Sequence, residues 1–454
     1  MRWSIPIPRP RPWRGVRLLW WAGLLLPWQV HAVPSFARQT GQPCVACHVG
    51  AFGPQLTAFG RQFKLLGYTL KTSDAPSLPL SAMLVESFTH TRKAQGERPA
   101  DHFSRNDNVE MQQASAFLAG RLSEHLGVFA QATYSQNGGA LGWDNIDLRY
   151  ARMFSARRRA GIWGISLNNN PTVSDVFNTA PAWQYPYIAA DLAPSSPAQP
   201  ALFGALGGQV VGITGYVQLG GALYAEAGGY RSLSPSFLRK VNADFDGRLA
   251  GITPYARVAY SWNLAAGSVT LGAFGLDVRR GLVGEDAAGH AVALPGPDDR
   301  LRDLGLDVAW QWTRGDHLLT AGALYVHERQ RLDATFAAGD AEHLHGSLDA
   351  LHVNGSYWYR NRWGATLAVF ADDGSRDVLL YAPSGRPDTR GQTLELDWNP
   401  FGQADSWLAP WANLRLGAQY THYSRFAGRV RNIDDAGRRA GDNDTLFLYA
   451  WLAL

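Results

Sequence analysis

Cys44-Val45-Ala46-Cys47-His48 sets two thiols two residues apart and an imidazole directly behind the second. In an exported chain this order is the attachment signature of a c-type haem. Cys44 and Cys47 suit thioether bonds to the two vinyl groups of one porphyrin, and His48 then lands on the iron as proximal ligand.

Three rival readings of the pentapeptide are a redox dithiol, half of a zinc site, and chance. A zinc site asks for a second pair of ligands, and the chain has only 2 Cys. A thioredoxin-like dithiol expects a βαβ context, which Gly50-Ala51-Phe52-Gly53-Pro54 does not supply. Downstream, Leu56, Phe59, Phe63 and Leu66 recur near helical spacing and form an apolar stripe that a haem face or edge would cover. Gly67 is placed to end that helix. Arg61 and Lys64 fall on the other side, either toward haem propionates or as a solvated basic face.

Residues 1–32 read as a secretory signal peptide. Arg2, Arg9, Arg11, Arg14 and Arg17 form the positive region, Leu18–Val30 is a charge-free core of 13 residues, and Val30-His31-Ala32 resembles a cleavage site. That core is too short to span a bilayer as a helix, and no later stretch is long and apolar enough. The precursor's 42 basic and 38 acidic residues become 37 and 38 once the five leader arginines are removed, so the basic isoelectric point carries no suggestion of nucleic acid. Both cysteines belong to the haem motif, which leaves none for a structural disulfide.

Residues 33–77 are then a monohaem cytochrome c segment too small to bury a core of its own. Residues 78–454 have a different texture, with short alternating runs rich in Tyr, Trp, Val, Leu and Gly. Leu394, Leu396 and Trp398 oppose Thr393, Glu395 and Asp397, and Leu414, Leu416, Ala418 and Tyr420 oppose Arg415, Gln419 and Thr421. One face suits lipid and the other water. A β-sandwich alternates in the same way, but a single β region of this length, aromatics at strand ends, no disulfides and alternating long and short connections favour a membrane barrel. About sixteen antiparallel strands are expected, starting near Pro79, Gln112, Leu126, Asn145, Ala160, Gly207, Gly220, Ala250, Gly267, Arg302, Asp316, Gly346, Trp363, Asp388, Ala412 and Asp444. Long connections such as Asn169–Ala205 belong outside and short ones such as Arg314-Gly315 in the periplasm. With an even strand count the haem segment enters at the periplasmic mouth, and Asn169–Ala205 either folds inward as a constriction or lies outside as a flap.

PSFARQTGQPCVACH, followed by PQLTAFGRQFKLLGYTL and then PLSAMLVESFTHT at the first strand, resembles the fused cytochrome–porin family of outer-membrane iron oxidases. The resemblance is specific from Pro34 to about Thr91. It implies an outer-membrane barrel that takes single electrons from extracellular Fe(II) or another reductant and passes them through one c-type haem to a periplasmic c-type cytochrome or similar acceptor. Cys44, Cys47 and His48 carry over directly.

His/Met ligation would raise the haem potential to suit an Fe(II) donor. Leader aside, the methionines are Met83, Met111 and Met153. Met83 is the candidate distal ligand: it shares a face with Ser87 and Thr89 toward the lumen when Ala82, Leu84 and Phe88 face lipid, although Val85 and Glu86 break that alternation. Otherwise Met83 is a wall residue, with His90 or water on the iron. Asp434, Asp435, Asp442 and Asp444 cluster in or beside the last long loop, where they either concentrate cations or simply face solvent. The competing functions are a diffusion porin with a structural or sensing haem plug and a peroxidase-like enzyme. No distal acid–base pair near the motif supports the enzyme.

Overall fold

The computed structural model describes residues 34–72, 78–156, 159–287 and 289–454. The leader at 1–32 and its cleavage motif lie outside the described residues, as does 73–77, where the helical segment gives way to the first strand.

Period-two alternation on long segments leaves each strand one face for lipid and one for the interior, and closure removes the unpaired edges that a bilayer cannot satisfy. In chain order the strands are β1 (Leu80–Thr91), β2 (Asn108–Arg121), β3 (Leu126–Ser135), β4 (Ala140–Ala156), β5 (Arg159–Asn168), β6 (Val210–Leu219), β7 (Leu223–Ser232), β8 (Thr253–Leu264) and β9 (Gly267–Arg280). There follow β10 (Val283–Glu285), β11 (Ala291–Ala293), β12 (Asp299–Arg314), β13 (His317–Arg331), β14 (His345–Tyr359), β15 (Trp363–Gly374), β16 (Thr389–Trp398), β17 (Asn413–Arg425) and β18 (Thr445–Ala453). Sixteen of them form one closed antiparallel barrel, while β10 and β11 make a separate hairpin in a loop. β18 closes the barrel against β1, with Val85 opposite Trp451. The expected architecture and strand count are met.

The register between β1 and β2 shifts at Val85/Glu86. The extra residue is Gln112 of β2, since Val85 pairs with Gln113 and Glu86 with Met111, while β1 itself alternates without a break: Met83, Val85 and Ser87 all face inward, and Val85 is simply an apolar, fully buried residue on the inner face.

Outward side chains such as Leu304, Leu306, Leu367, Val369, Leu394 and Leu396 are exposed and apolar, whereas the inward set includes buried Arg149, Arg257, Asp303, Asp307, Glu328 and Arg415. Trp163, Tyr260, Trp262, Tyr357, Trp363 and Trp398 are exposed at one rim, with Trp363 and Trp398 stacked 5.6 Å apart. An apolar belt ending in an aromatic girdle is the exterior of an outer-membrane barrel, and this chain is located in the cell outer membrane. Connections at the girdled end are short, apart from 399–412, and those at the other end are long, apart from 136–139. The short-turn end is the periplasmic one in barrels of this kind.

Candidate haem site inside the barrel

The segment before β1 folds as three helices, α1 (Pro34–Thr40), α2 (Cys44–Cys47) and α3 (Ala58–Leu65). Phe36 meets Phe63 edge-on at 4.9 Å and stacks on Tyr68 at 5.3 Å. Gln39 ties the ends together, its Nε2 donating to the Tyr68 and Leu70 carbonyls at 2.7 Å. This core is too small to stand alone, and the barrel wall supplies the rest.

α2 is one turn, entered through extended Pro43, and the His48 N–H donates to the Cys44 carbonyl at 2.9 Å. His48 then turns into extended backbone and pairs with Leu56 as an antiparallel bridge, closing residues 49–55 into a lasso. Thr57 caps α3 by accepting from Gly60 N–H at 3.2 Å, while its hydroxyl donates to the Ala46 carbonyl. A Cβ at position 60 would stand 2.3 Å from the Cys47 carbonyl oxygen, so only glycine lets α3 cross α2. Gly67, at φ 70°, follows the α3 C-cap as expected.

The lasso is held from the wall by its carbonyls. Asn399 Nδ2 donates to Gly50, Asn413 Nδ2 to Ala51 at 2.8 Å and Arg415 Nη2 to Phe52 at 3.2 Å. Gln311 Nε2 reaches the Leu56 carbonyl at 2.7 Å. Gly50 has φ 64° and lies against Trp358, whose ring a Cβ would meet at 2.6 Å. Tyr216 donates to the Leu65 carbonyl at 2.7 Å and Tyr68 to Asp147 at 2.7 Å. These anchors come from β4, β6, β12, β14, β17 and the 399–412 turn, toward the short-turn end. The helical segment is therefore a plug within that mouth.

A second layer covers it. The connection between β5 and β6 folds inward, as one of its two expected dispositions had it: Asp175 pairs with Arg257 at 3.1 Å, Gln419 donates to the Ile188 carbonyl at 2.8 Å, and Ala201 and Leu202 N–H donate to Glu328 and Asp303 at 2.7 and 2.8 Å. Loop and plug also meet, since Asn178 Nδ2 donates to the Pro54 carbonyl at 2.8 Å. Between them lies a cleft against β12–β14, lined in part by Gln55, Arg61, Asn178, Trp183, Tyr185 and Gln311.

Two positions depart from expectation. Lys64 is not on a solvated face: it is buried, its Nζ donates to the Val173 carbonyl at 2.7 Å and to Asn178 Oδ1 at 2.8 Å, and it lies 4.5 Å from the Trp183 ring. Arg61 donates to Ser268 at 2.9 Å. The open face of α3 carries Ala58, Phe59 and Gln62, while the infolded loop covers the face that bears Lys64. Of the apolar stripe, Leu56 and Phe63 are buried, but Phe59 keeps 37% of its surface exposed beside the α2–α3 crossing.

The motif residues fit a covalent haem. Cys44 and Cys47 are half-buried and not bridged, and burial pushes both thiols up, Cys47 to about 12 with Cys44 adding to it. Burial pulls the His48 imidazole down to about 4, against a raising contact from the Gly53 carbonyl. His48 Nδ1 is buried without a partner. Among the described residues, Cys44, Cys47 and His48 belong to no group of three or more His, Cys, Asp or Glu side chains placed to hold a metal ion.

Of the three methionines, Met83 alone faces the interior. It packs in a cluster with Phe52, Val85, Phe117 and Trp451, whereas Met153 is 73% exposed and Met111 lies on the outward face of β2. His90 points outward at the long-loop end, 2.6 Å from Asp107. The acidic residues of the last loop are committed elsewhere: Asp434 accepts from Ala436 and Arg438 N–H, Asp435 pairs with Arg429, Asp442 with Lys93 at 3.7 Å, and Asp444 with His422 at 2.9 Å. The anchors Asn399, Asn413, Arg415 and Gln311 are absent from the sequence-based reading, where Arg415 stands only as a water-facing strand position.

No protein-family model and no curated protein matches the chain. Among solved structures it is similar to OmpT, an outer membrane protein of Vibrio cholerae, at 12% identity and TM-score 0.45 over 82% of this chain and 98% of that one. It is also similar to the outer membrane channel DcaP of Acinetobacter baumannii, at 12% and 0.46 over 84% and 99%, and to an anion-selective porin from Comamonas acidovorans, at 11% and 0.46 over 82% and 98%.

Proposed function

We propose that this porin-like outer-membrane barrel carries one c-type haem on Cys44, Cys47 and His48 within its lumen and conducts single electrons inward, from extracellular Fe(II) or another reductant to a periplasmic c-type cytochrome or similar acceptor. The observation that carries the reading is the position of the motif: it lies inside the barrel at the short-turn mouth, with its lasso tied to the wall at Gly50, Ala51 and Phe52.

Fe(III) precipitates near neutral pH, so a cell gains by keeping the iron outside and moving only the electron. The apolar band is ~25 Å tall, and a barrel lets a redox centre sit within that thickness without touching lipid. Bound haem would supply a one-electron couple. Cys44 and Cys47 would fix it covalently, and His48, with its orphaned nitrogen, would ligate the iron. Met83 is the proposed sixth ligand, on its inward orientation and its cluster with Phe52. Phe59 offers an apolar surface for the ring to cover. The wall anchors hold this set at a fixed depth.

A diffusion porin with a structural or sensing haem plug is the second reading, and the polar cleft between plug and infolded loop favours it. Redox spectroscopy of the purified protein separates the two. On the electron-transfer reading Fe(II) reduces the haem and an added periplasmic cytochrome reoxidises it; on the porin reading the haem is indifferent to both, and planar bilayers containing the protein pass small solutes.

A further inference from the structure

On the inner wall near the long-loop end, buried oxygen atoms gather. Glu110 on β2 is 1% exposed, and the groups that face its carboxylate are the Ser87 hydroxyl and the Asp191 carboxylate. Ser87 stands directly opposite it in the β1–β2 register, with Thr89 two positions nearer the long loop and Gln112 two positions the other way, both on the same inner faces. These three are 4%, 2% and 5% exposed, and Thr89 Oγ1 and Gln112 Oε1 are without partners. The infolded loop brings the Asp191 carboxylate against Glu110. It is fixed there by Gln112 Nε2, which donates to the Ala189 carbonyl at 2.5 Å, and by Gln95 Nε2, which donates to the Leu192 carbonyl at 2.7 Å. Among the described residues, the charged group that faces Glu110 is Asp191.

Two facing carboxylates repel, and a buried carboxylate lacking a counter-charge is costly unless it is neutralised by a proton or a cation. We propose that this patch binds a hard divalent cation. The donors are all oxygen, two of them carboxylates and the rest neutral hydroxyl and amide groups, which is the set that Mg(II), Ca(II), Mn(II) and Fe(II) accept and that softer ions do not prefer. The patch lies toward the long-loop end of β1 and β2, on the outer side from which an extracellular ion arrives. Under the proposed function its natural occupant is Fe(II), and that identity alone rests on the haem reading.

Mn(II), visible by electron paramagnetic resonance when free, is the probe, titrated into the full-length barrel in detergent. One Mn(II) per chain is expected to be sequestered and to be displaced by Fe(II) under anaerobic conditions. Glu110→Gln should weaken binding by about a hundredfold or more, beyond the loss of an outer-shell partner. Asp191→Asn, on an exposed loop side chain that does not load the wall, should weaken it in the same direction even where Glu110→Gln disturbs assembly. Heat-modifiable mobility on a gel reports that each barrel is folded. Absence of stoichiometric binding, or folded variants that bind as the parent does, would overturn the site. Haem reduction by Fe(II) without Mn(II) binding removes the site and leaves the electron-transfer reading; Mn(II) binding without haem reduction keeps the site and removes Fe(II) as its occupant.

Discussion

Lys64 of the plug donates to Asn178 of the infolded loop at 2.8 Å, and the same Nζ reaches the Val173 carbonyl at 2.7 Å. One buried amine thus joins the two layers that fill the lumen, each bonded separately to the wall. Burial lowers its pKa to about 7; Arg149 lowers it too, against the raising pull of Asp147, Asp175 and Glu226. The folded state then holds fewer protons than the unfolded chain between about 7 and the ordinary 10.5, so stability rises with pH across that window and is flat below it. The slope is at most one proton's worth, ~1.4 kcal/mol per pH unit. Protection factors for amide exchange over residues 34–72, taken relative to the intrinsic rate at each pH, should be larger at the alkaline end of that window than at neutral pH, and Lys64→Met should flatten the difference. An unchanged slope in Lys64→Met would assign the dependence to another group.

Arg415 lies 3.8 Å from Asp397 and donates to the Phe52 carbonyl. Arg415→Met strands a buried carboxylate and frees the lasso together, at a cost of ~3–5 kcal/mol. Asn413→Leu removes the bond to Ala51, the bond that Asn413 Oδ1 accepts from Leu414 N–H at 2.9 Å and the contact with the Cys44 thiol, but strands no charge, and should cost ~1–3 kcal/mol. Protease cleavage within the plug of the folded barrel, followed against urea, should rank Arg415→Met above Asn413→Leu and both above the parent. The reverse order would mean that the plug is held chiefly elsewhere.

Covalent haem depends on two thiols. A haem-stained band at the size of the mature chain should be present in the parent and vanish in Cys44→Ala/Cys47→Ala. Haem that stays attached in the double variant would contradict the assignment.

Met83→Ala should open the sixth position and leave covalent attachment intact. The readouts are the long-wavelength sulfur-to-iron band of the ferric form, which should disappear, and the midpoint potential, which should fall. An unchanged spectrum would return Met83 to the wall. The outward orientations of His90, Met111 and Met153 would then point to water.

The barrel was legible because its signal is local. Alternation such as Leu394/Glu395/Leu396/Asp397 repeats within each strand, and the expected starts fall close to the sixteen observed ones. β2 begins earlier than read, at Asn108, because Asn108 and Glu110 are polar residues on a buried inner face and look like loop. The β10–β11 hairpin escaped notice because three residues a side carry too little periodicity. The proposed haem site stands out for the same local reason, as five consecutive residues, Cys44 to His48. Its anchors were not: period two tells whether Arg415 points in or out, but not that Phe52, far away in sequence, waits there. Lys64 is buried because the infolded loop, which a helical wheel does not show, packs over the face of α3 that bears it.

The central claim is that electrons enter from outside and reach a haem at the inner mouth. The most direct measurement is the haem absorbance of intact cells on addition of Fe(II), with the outer membrane unbroken, in the parent and in Cys44→Ala/Cys47→Ala. The account predicts prompt appearance of the reduced haem spectrum in the parent and none in the double variant. Reduction that requires permeabilising the outer membrane, or no reduction at all in cells whose haem a small-molecule reductant does reduce, would contradict it and leave the plugged porin as the function.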